Sequence, residues 1–166
     1  MARIAFLTLG NMLAPYGDPA VEVFESAIEA TYEQAEASPG YIRQLPDAEW
    51  VPGGDRLRSP YYTGGRSPEL DAEAATLTIW DDLESVYTFA YSGSHLDAFK
   101  RRRESFESGD WPSHVAWWIG DDELPTWEDA FSRQQLIYEE GSTPKAFNFR
   151  QPYLPDGTPT KLRKSR

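Results

Sequence analysis

No cysteine occurs among the 166 residues, which excludes disulfides, thiolate catalysis and cysteine metal sites at once. No apolar run approaches the roughly 20 residues that a membrane-spanning helix needs. Basic charge is also scarce: 16 Lys and Arg stand against 27 Asp and Glu, a net charge of −11. Phosphate backbones and anionic lipid surfaces are held by basic patches, so neither nucleic acid nor membrane is expected as a partner. Three familiar signatures are missing: a Gly-rich phosphate loop, an HExxH zinc pair and a GxSxG nucleophile elbow. The chain has only two histidines, His95 and His114, and their spacing matches no metal-ligand pattern. The start, MAR before IAFLTL, is too short for a signal peptide and reads as the lead into a strand. A cytoplasmic location is the expectation that follows.

Aromatics, by contrast, are abundant: six Trp, nine Tyr and eight Phe make up 14% of the chain. Such side chains fill cores, and they also wall pockets for planar apolar ligands. A domain of this length buries roughly 70% of its unfolded surface, enough for a core without staples. One domain is expected over residues 1–153. Residues 46–73 form a long insertion within it, and 154–166 form a basic tail ending in KLRKSR that is expected to be disordered.

Residues 4–9 (IAFLTL) form an apolar, β-prone run closed by Gly10-Asn11, a first strand. Asp18-Pro19 is a helix start, with Asp as cap and proline where no hydrogen bond is lost. Val21, Phe24, Ile28 and Ala35 then recur at helical spacing, and Glu22, Glu25, Glu29, Glu33 and Glu36 line a solvent face. Residues 41–45 (YIRQL) are a second strand. The stretch 46–73 carries four prolines and two Gly-Gly pairs. It is a lid, a surface for a partner, or a passive insertion. Residues 75–80 (ATLTIW) are a third strand. Asp81, with Glu84 at the capping-box spacing, is expected to start the next helix, which breaks at Gly93 and resumes through Phe106. Residues 114–119 (HVAWWI) are a fourth strand, and Thr126 with Asp129 opens a last helix running to Gly141.

Two β-α-β units in succession predict an α+β, ferredoxin-like domain: a four-stranded antiparallel sheet with both main helices on one face. The other face needs a cover. A second copy closing a barrel would supply it, so a homodimer is expected.

Three stretches carry a family resemblance: TIWDDLESVYTFAYSGSHLDAFKRRRESFE at 78–107, PSHVAWWIGDDELPTWEDA at 112–130, and STPKAFNF at 142–149. The most specific parts are the Tyr91, His95, Phe99, Arg103 series, the Trp117-Trp118 pair and the Thr143-Pro144 segment leading to Phe147 and Phe149. The chain resembles the DUF3291 family, of unknown function, within the dimeric α+β barrel superfamily. That superfamily includes cofactor-independent quinone-forming monooxygenases, polyketide cyclases and heme-binding oxygenases. The resemblance implies the fold and a cavity between sheet and helices. It carries no catalytic residue across, because a fold does not fix an activity.

His95 is the leading candidate for chemistry. It follows the glycine break, and helical spacing puts Tyr91, His95, Phe99 and Arg103 on one stripe. An imidazole moves protons near neutral pH, while arginine and a phenol can steady an anion. The plainer alternative has His95 satisfied by a backbone carbonyl and Arg103 by Glu107. On the sheet, Trp80 shares a face with Thr76 and Thr78, and Trp118 shares one with His114. Trp80, Trp118, Phe99, Thr78 and His114 are therefore candidate substrate contacts, or else plain core. The leading expectation is a cofactor-independent, monooxygenase- or cyclase-like enzyme on a planar aromatic or polyketide-like substrate, with His95, Arg103 and Tyr91 catalytic and no metal. The alternatives are heme binding through His95 or His114, and a non-catalytic ligand-binding or scaffold protein.

Overall fold

The computed structural model describes residues 1–48, 50, 51, 55–63 and 72–163. In chain order the elements are β1 (Arg3–Asn11), α1 (Glu22–Ala37), β2 (Tyr41–Gln44), β3 (Trp50–Val51), β4 (Asp55–Arg56), β5 (Glu73–Trp80), α2 (Leu83–Ala90), α3 (Gly93–Lys100), β6 (His114–Ile119) and α4 (Trp127–Glu140). Four strands form one antiparallel sheet in the order β2-β5-β1-β6, the ferredoxin-like arrangement, and β3 pairs with β4 as a separate short hairpin. No helix among the described residues is long and apolar enough to cross a membrane.

Strand alternation sorts the sheet into two faces. Ala5, Leu7 and Leu9 of β1, Leu77 and Ile79 of β5, and Val115, Trp117 and Ile119 of β6 point one way. They are buried there with Ala130, Phe131 and Ile137 of α4. This is the face for which a second copy was expected. The last helix covers it within the single chain. Thr126 caps that helix as its spacing predicts, its hydroxyl accepting the Asp129 N–H at 3.1 Å. Gln134, fully buried on α4, ties the helix down by accepting from Ser59 Oγ at 2.6 Å and donating to the Pro112 carbonyl at 2.9 Å.

On the other face, Ile4, Trp80 and Ala116 pack under α2 through Leu83, Val86 and Phe89, joined by Phe147 and Phe149. α2 begins one residue later than expected. Asp82, not Asp81, accepts the Ser85 N–H at 2.8 Å, and the Asp81 N–H bonds the Gly40 carbonyl at 2.7 Å. Asp18 caps as expected, accepting the Ala20 N–H at 2.8 Å, although it opens a 3-10 turn (Pro19–Val21) that leads into α1. The helix after Gly93 does not reach Phe106 as an α-helix. It stops at Lys100 and finishes as a 3-10 turn over Arg102–Glu104.

Within the 46–73 insertion, the described residues 57–63 are held to the body of the domain. Asn11 donates to the Tyr61 carbonyl at 3.0 Å, and Thr63 donates to Glu107 Oε2 at 2.6 Å. Residues 49, 52–54 and 64–71 of the insertion lie outside the described residues. The described part of the C-terminal segment, to residue 163, packs on the domain. Tyr153 bridges Pro159, the Leu154 N–H bonds the Thr158 carbonyl at 2.8 Å, and Leu162 packs against the aromatic face. Tyr153 anchors this segment by accepting Trp118 Nε1 on its carbonyl at 2.7 Å.

Candidate functional site

The register of the sheet fixes what α1 and α3 look down on. Three rows cross β5, β1 and β6: Trp80–Ile4–Trp118, then Thr78–Phe6–Ala116, then Thr76–Thr8–His114. The first row is packed under α2 and the C-terminal segment, as is Ala116 of the second, while Phe6 and Thr78 of the second also border a cavity. α1, however, buries only Ala35 fully along its length. Its apolar residues Phe24, Ala27 and Ile28 instead face a cavity of about 480 Å³ whose floor is the third row. The hydroxyls of Thr8 and Thr76 share a hydrogen bond of 2.6 Å on this floor. Phe106 closes one end with its ring against Gly10, where an added Cβ would lie 2.5 Å from Cδ1. Phe149 lies over His114, with ring centroids 5.0 Å apart and planes at 28°. It is placed there by the paired backbone bonds of Phe147 with Ala116 at the edge of β6.

The four-residue stripe reaches this cavity intact: Tyr91, His95, Phe99 and Arg103 all line it. They do so across a helix break. Gly93 takes φ +51 between α2 and α3, and the side chain of Gln34 on α1 fills the junction. Gln34 Oε1 accepts the His95 backbone N–H at 2.9 Å, while its Nε2 donates to the Ser92 carbonyl at 3.0 Å. Gln34 thus caps α3 from another helix, satisfying a donor that Ser92 leaves open.

His95 Nδ1 lies 2.8 Å from the Ala90 carbonyl oxygen. A carbonyl only accepts, so Nδ1 carries the proton and Nε2 keeps its lone pair. The plainer reading of His95 is therefore right for one ring nitrogen, and that same bond frees the other to act as a base. Burial holds the ring's pKa below 6.5 against the opposing pull of the Ala90 bond, so it is neutral at pH 7. Burial, then the charge of Arg150 and the neighbouring His95, push His114 down to about 4. The His114 ring is half-buried, and its Nε2 is fully enclosed with no hydrogen-bond partner. Burial, with Tyr87 beside it, raises the Tyr91 phenol, which stays protonated and able to donate.

Of the expected substrate contacts, Phe99, Thr78 and His114 line the cavity. Trp80 and Trp118 do not. Their row lies four residues, about 13 Å, along the strands from the Thr76 row. Trp80 is completely buried and donates to Thr78 Oγ1 at 2.9 Å, and Trp118 donates to Tyr153. Both are core. Glu107 is not the partner of Arg103 either, since its carboxylate takes the Thr63 hydroxyl. The sequence reading missed Thr8, Phe149 and Gln34. Thr8 was open to the same alternation argument as Thr76, but Gln34 sits among glutamates with no signal of its own. Among the described residues no three His, Asp or Glu gather as a metal site.

A family model for a domain of unknown function, DUF3291, matches residues 3–164. The chain belongs to the DUF3291 family. No curated protein matches it in sequence. Among solved structures it is similar in outline to SnoaB of Streptomyces nogalater, described as a cofactor-independent oxygenase, at 16% identity and TM-score 0.44, over 76% of this chain and 100% of that one. It is also similar to NE2512 of Nitrosomonas europaea, of unknown function, at 10% identity and TM-score 0.47, over 76% and 97%. Likenesses this distant say nothing about the activity of this DUF3291 member, which has to be argued from its own residues.

Proposed function

We propose that the cavity takes a planar aromatic or polyketide-like molecule and that His95 removes a proton from it, with no cofactor required. One observation carries this reading: the Ala90 carbonyl holds Nδ1–H, so a neutral imidazole in an apolar cavity presents Nε2 as its base. Tyr91, a protonated phenol on the same wall, is suited to donate to the oxygen on which charge develops. Phe99 and Phe149 offer ring faces, and Thr8, Thr76 and Thr78 offer polar points on the floor. Proton removal is the step that a cofactor-free oxygenation and a cyclisation have in common. The test is solvent-deuterium exchange into the acidic C1–H of 2-tetralone, followed by proton NMR. The full chain is expected to accelerate exchange over buffer, and His95→Gln to abolish the acceleration. Equal exchange in both proteins would remove His95 from the chemistry.

A second reading is favoured by the same bond. A histidine whose Nδ1 is held by a carbonyl is also oriented as an iron ligand, and Arg102 and Arg103 at the rim would suit heme propionates. Bound heme would supply redox and oxygen chemistry at that position. Titration with hemin decides it: a Soret band lost in His95→Ala establishes heme binding, and a featureless titration removes it.

A further inference from the structure

The run of cations at 100–103 is sorted by the fold. Lys100 Nζ lies 3.9 Å from Asp97, and Arg101 makes a 2.9 Å ion pair with Glu104. The Arg102 guanidinium sits 4.1 Å above the Phe99 ring and donates to the Phe99 carbonyl at 2.9 Å. Arg103 differs from all three. Its side chain is exposed, it has no hydrogen-bond or ion-pair partner among the described residues, Glu107 four residues on is engaged by Thr63, and it lines the cavity. A guanidinium at the mouth of an apolar cavity, in a chain of net charge −11, is suited to one kind of ligand group.

We infer that Arg103 is an anion subsite: the ligand is a fused-ring aromatic bearing a carboxylate, which Arg103 holds at the mouth while the rings lie inside. This rests on the reading of the cavity as a ligand site and names what that ligand must carry. Arg103 follows His95 by eight residues, first along α3 and then through the 3-10 turn that ends it, roughly 12–14 Å at the two helical rises. One molecule meeting both needs two or three fused rings, which the apolar walls accommodate. Arg103 therefore anchors the end of the ligand remote from the base and does not touch the reacting atoms.

The test is a fluorescence titration of the full chain with anthracene-2-carboxylate and its neutral counterpart anthracene-2-carboxamide, at low ionic strength. The carboxylate is expected to bind about tenfold more tightly. Arg103→Gln should erase that preference while leaving amide affinity unchanged, Arg103→Lys should restore part of it, and Ala98→Trp, which fills the cavity, should abolish both. If Arg103→Gln keeps the preference, the subsite is wrong and the cavity reading stands. If neither probe binds the unmodified protein, or Ala98→Trp leaves binding intact, the cavity reading falls together with the subsite.

Discussion

Gln34 Oε1 accepts the backbone N–H of His95 at 2.9 Å, a contact between residues 61 positions apart. Through it α1, the roof of the cavity, fixes where α3 begins and so where the imidazole stands. Removing the side chain leaves a half-buried N–H and the Ser92 carbonyl without their partner. We expect Gln34→Ala to lower stability by about 1–3 kcal/mol in urea unfolding. Gln34→Glu keeps the acceptor and loses the donor, so its loss should be smaller. Both should also slow deuterium exchange into 2-tetralone, because the base is no longer held.

The same junction explains Gly93. Its φ of +51 disfavours any L side chain, and an added Cβ would lie 2.8 Å from Gln34 Oε1. Gly17 also has a positive φ, +88, but nothing lies within 4 Å of its Cβ position. Gly93→Ala should therefore destabilise more than Gly17→Ala, by about 1 kcal/mol or more. In a Gln34→Ala background the excess should disappear. A double-mutant cycle reads this coupling, and additive effects would show that the two residues act independently.

How much of this was legible beforehand follows from the range of each interaction. The strands, the caps at Asp18 and Thr126 and the glycine break rest on neighbours within about four positions, and they are written in the sequence. The stripe of Tyr91, His95, Phe99 and Arg103 was legible for the same reason. The cap stands at Asp82, one residue past the expected Asp81, and two adjacent aspartates offer no local signal that chooses between them. The two faces of β6 were readable by alternation, but not which row of the sheet lay under α2 and which lay open. That depends on how α1 stands off the sheet. Hence alternation gave Trp80 and Trp118 a face but could not choose between cavity wall and core. The cover of the second face was not legible either, since nothing local reveals that α4 folds back onto it.

The depth of the two tryptophans can be checked directly. Trp118→Phe keeps most of the packing and removes the donor to the Tyr153 carbonyl. It should cost about 1–2 kcal/mol and loosen the C-terminal turn. Affinity for an aromatic probe should be unchanged, whereas Phe99→Ala should weaken it several-fold. Hydrogen exchange on residues 154–160 would report the loosening, and a loss of probe affinity in Trp118→Phe would return that residue to the cavity wall.

His114 makes stability depend on pH in a definite window. Its ordinary pKa is 6.5 and the fold lowers it to about 4. Between these values the unfolded chain binds a proton that the folded one does not. Stability therefore rises with pH across this window, is fully present above about 6.5, and falls as pH drops toward 4. The full difference corresponds to roughly 3 kcal/mol, and the part of the ring open to the cavity brings it nearer 2. His95, also lowered by burial, adds in the same direction below 6.5. Arg150 lies close enough to His114 to contribute to the shift, so its removal should raise the midpoint. We expect urea unfolding between pH 7 and pH 5 to show a steep loss of stability in the unmodified protein. His114→Phe should have a flatter profile and a smaller loss at pH 5, with the residual slope due to His95. An unchanged slope in His114→Phe would mean that this ring is already solvated in the folded state, and the enclosed Nε2 would then have found water or a ligand.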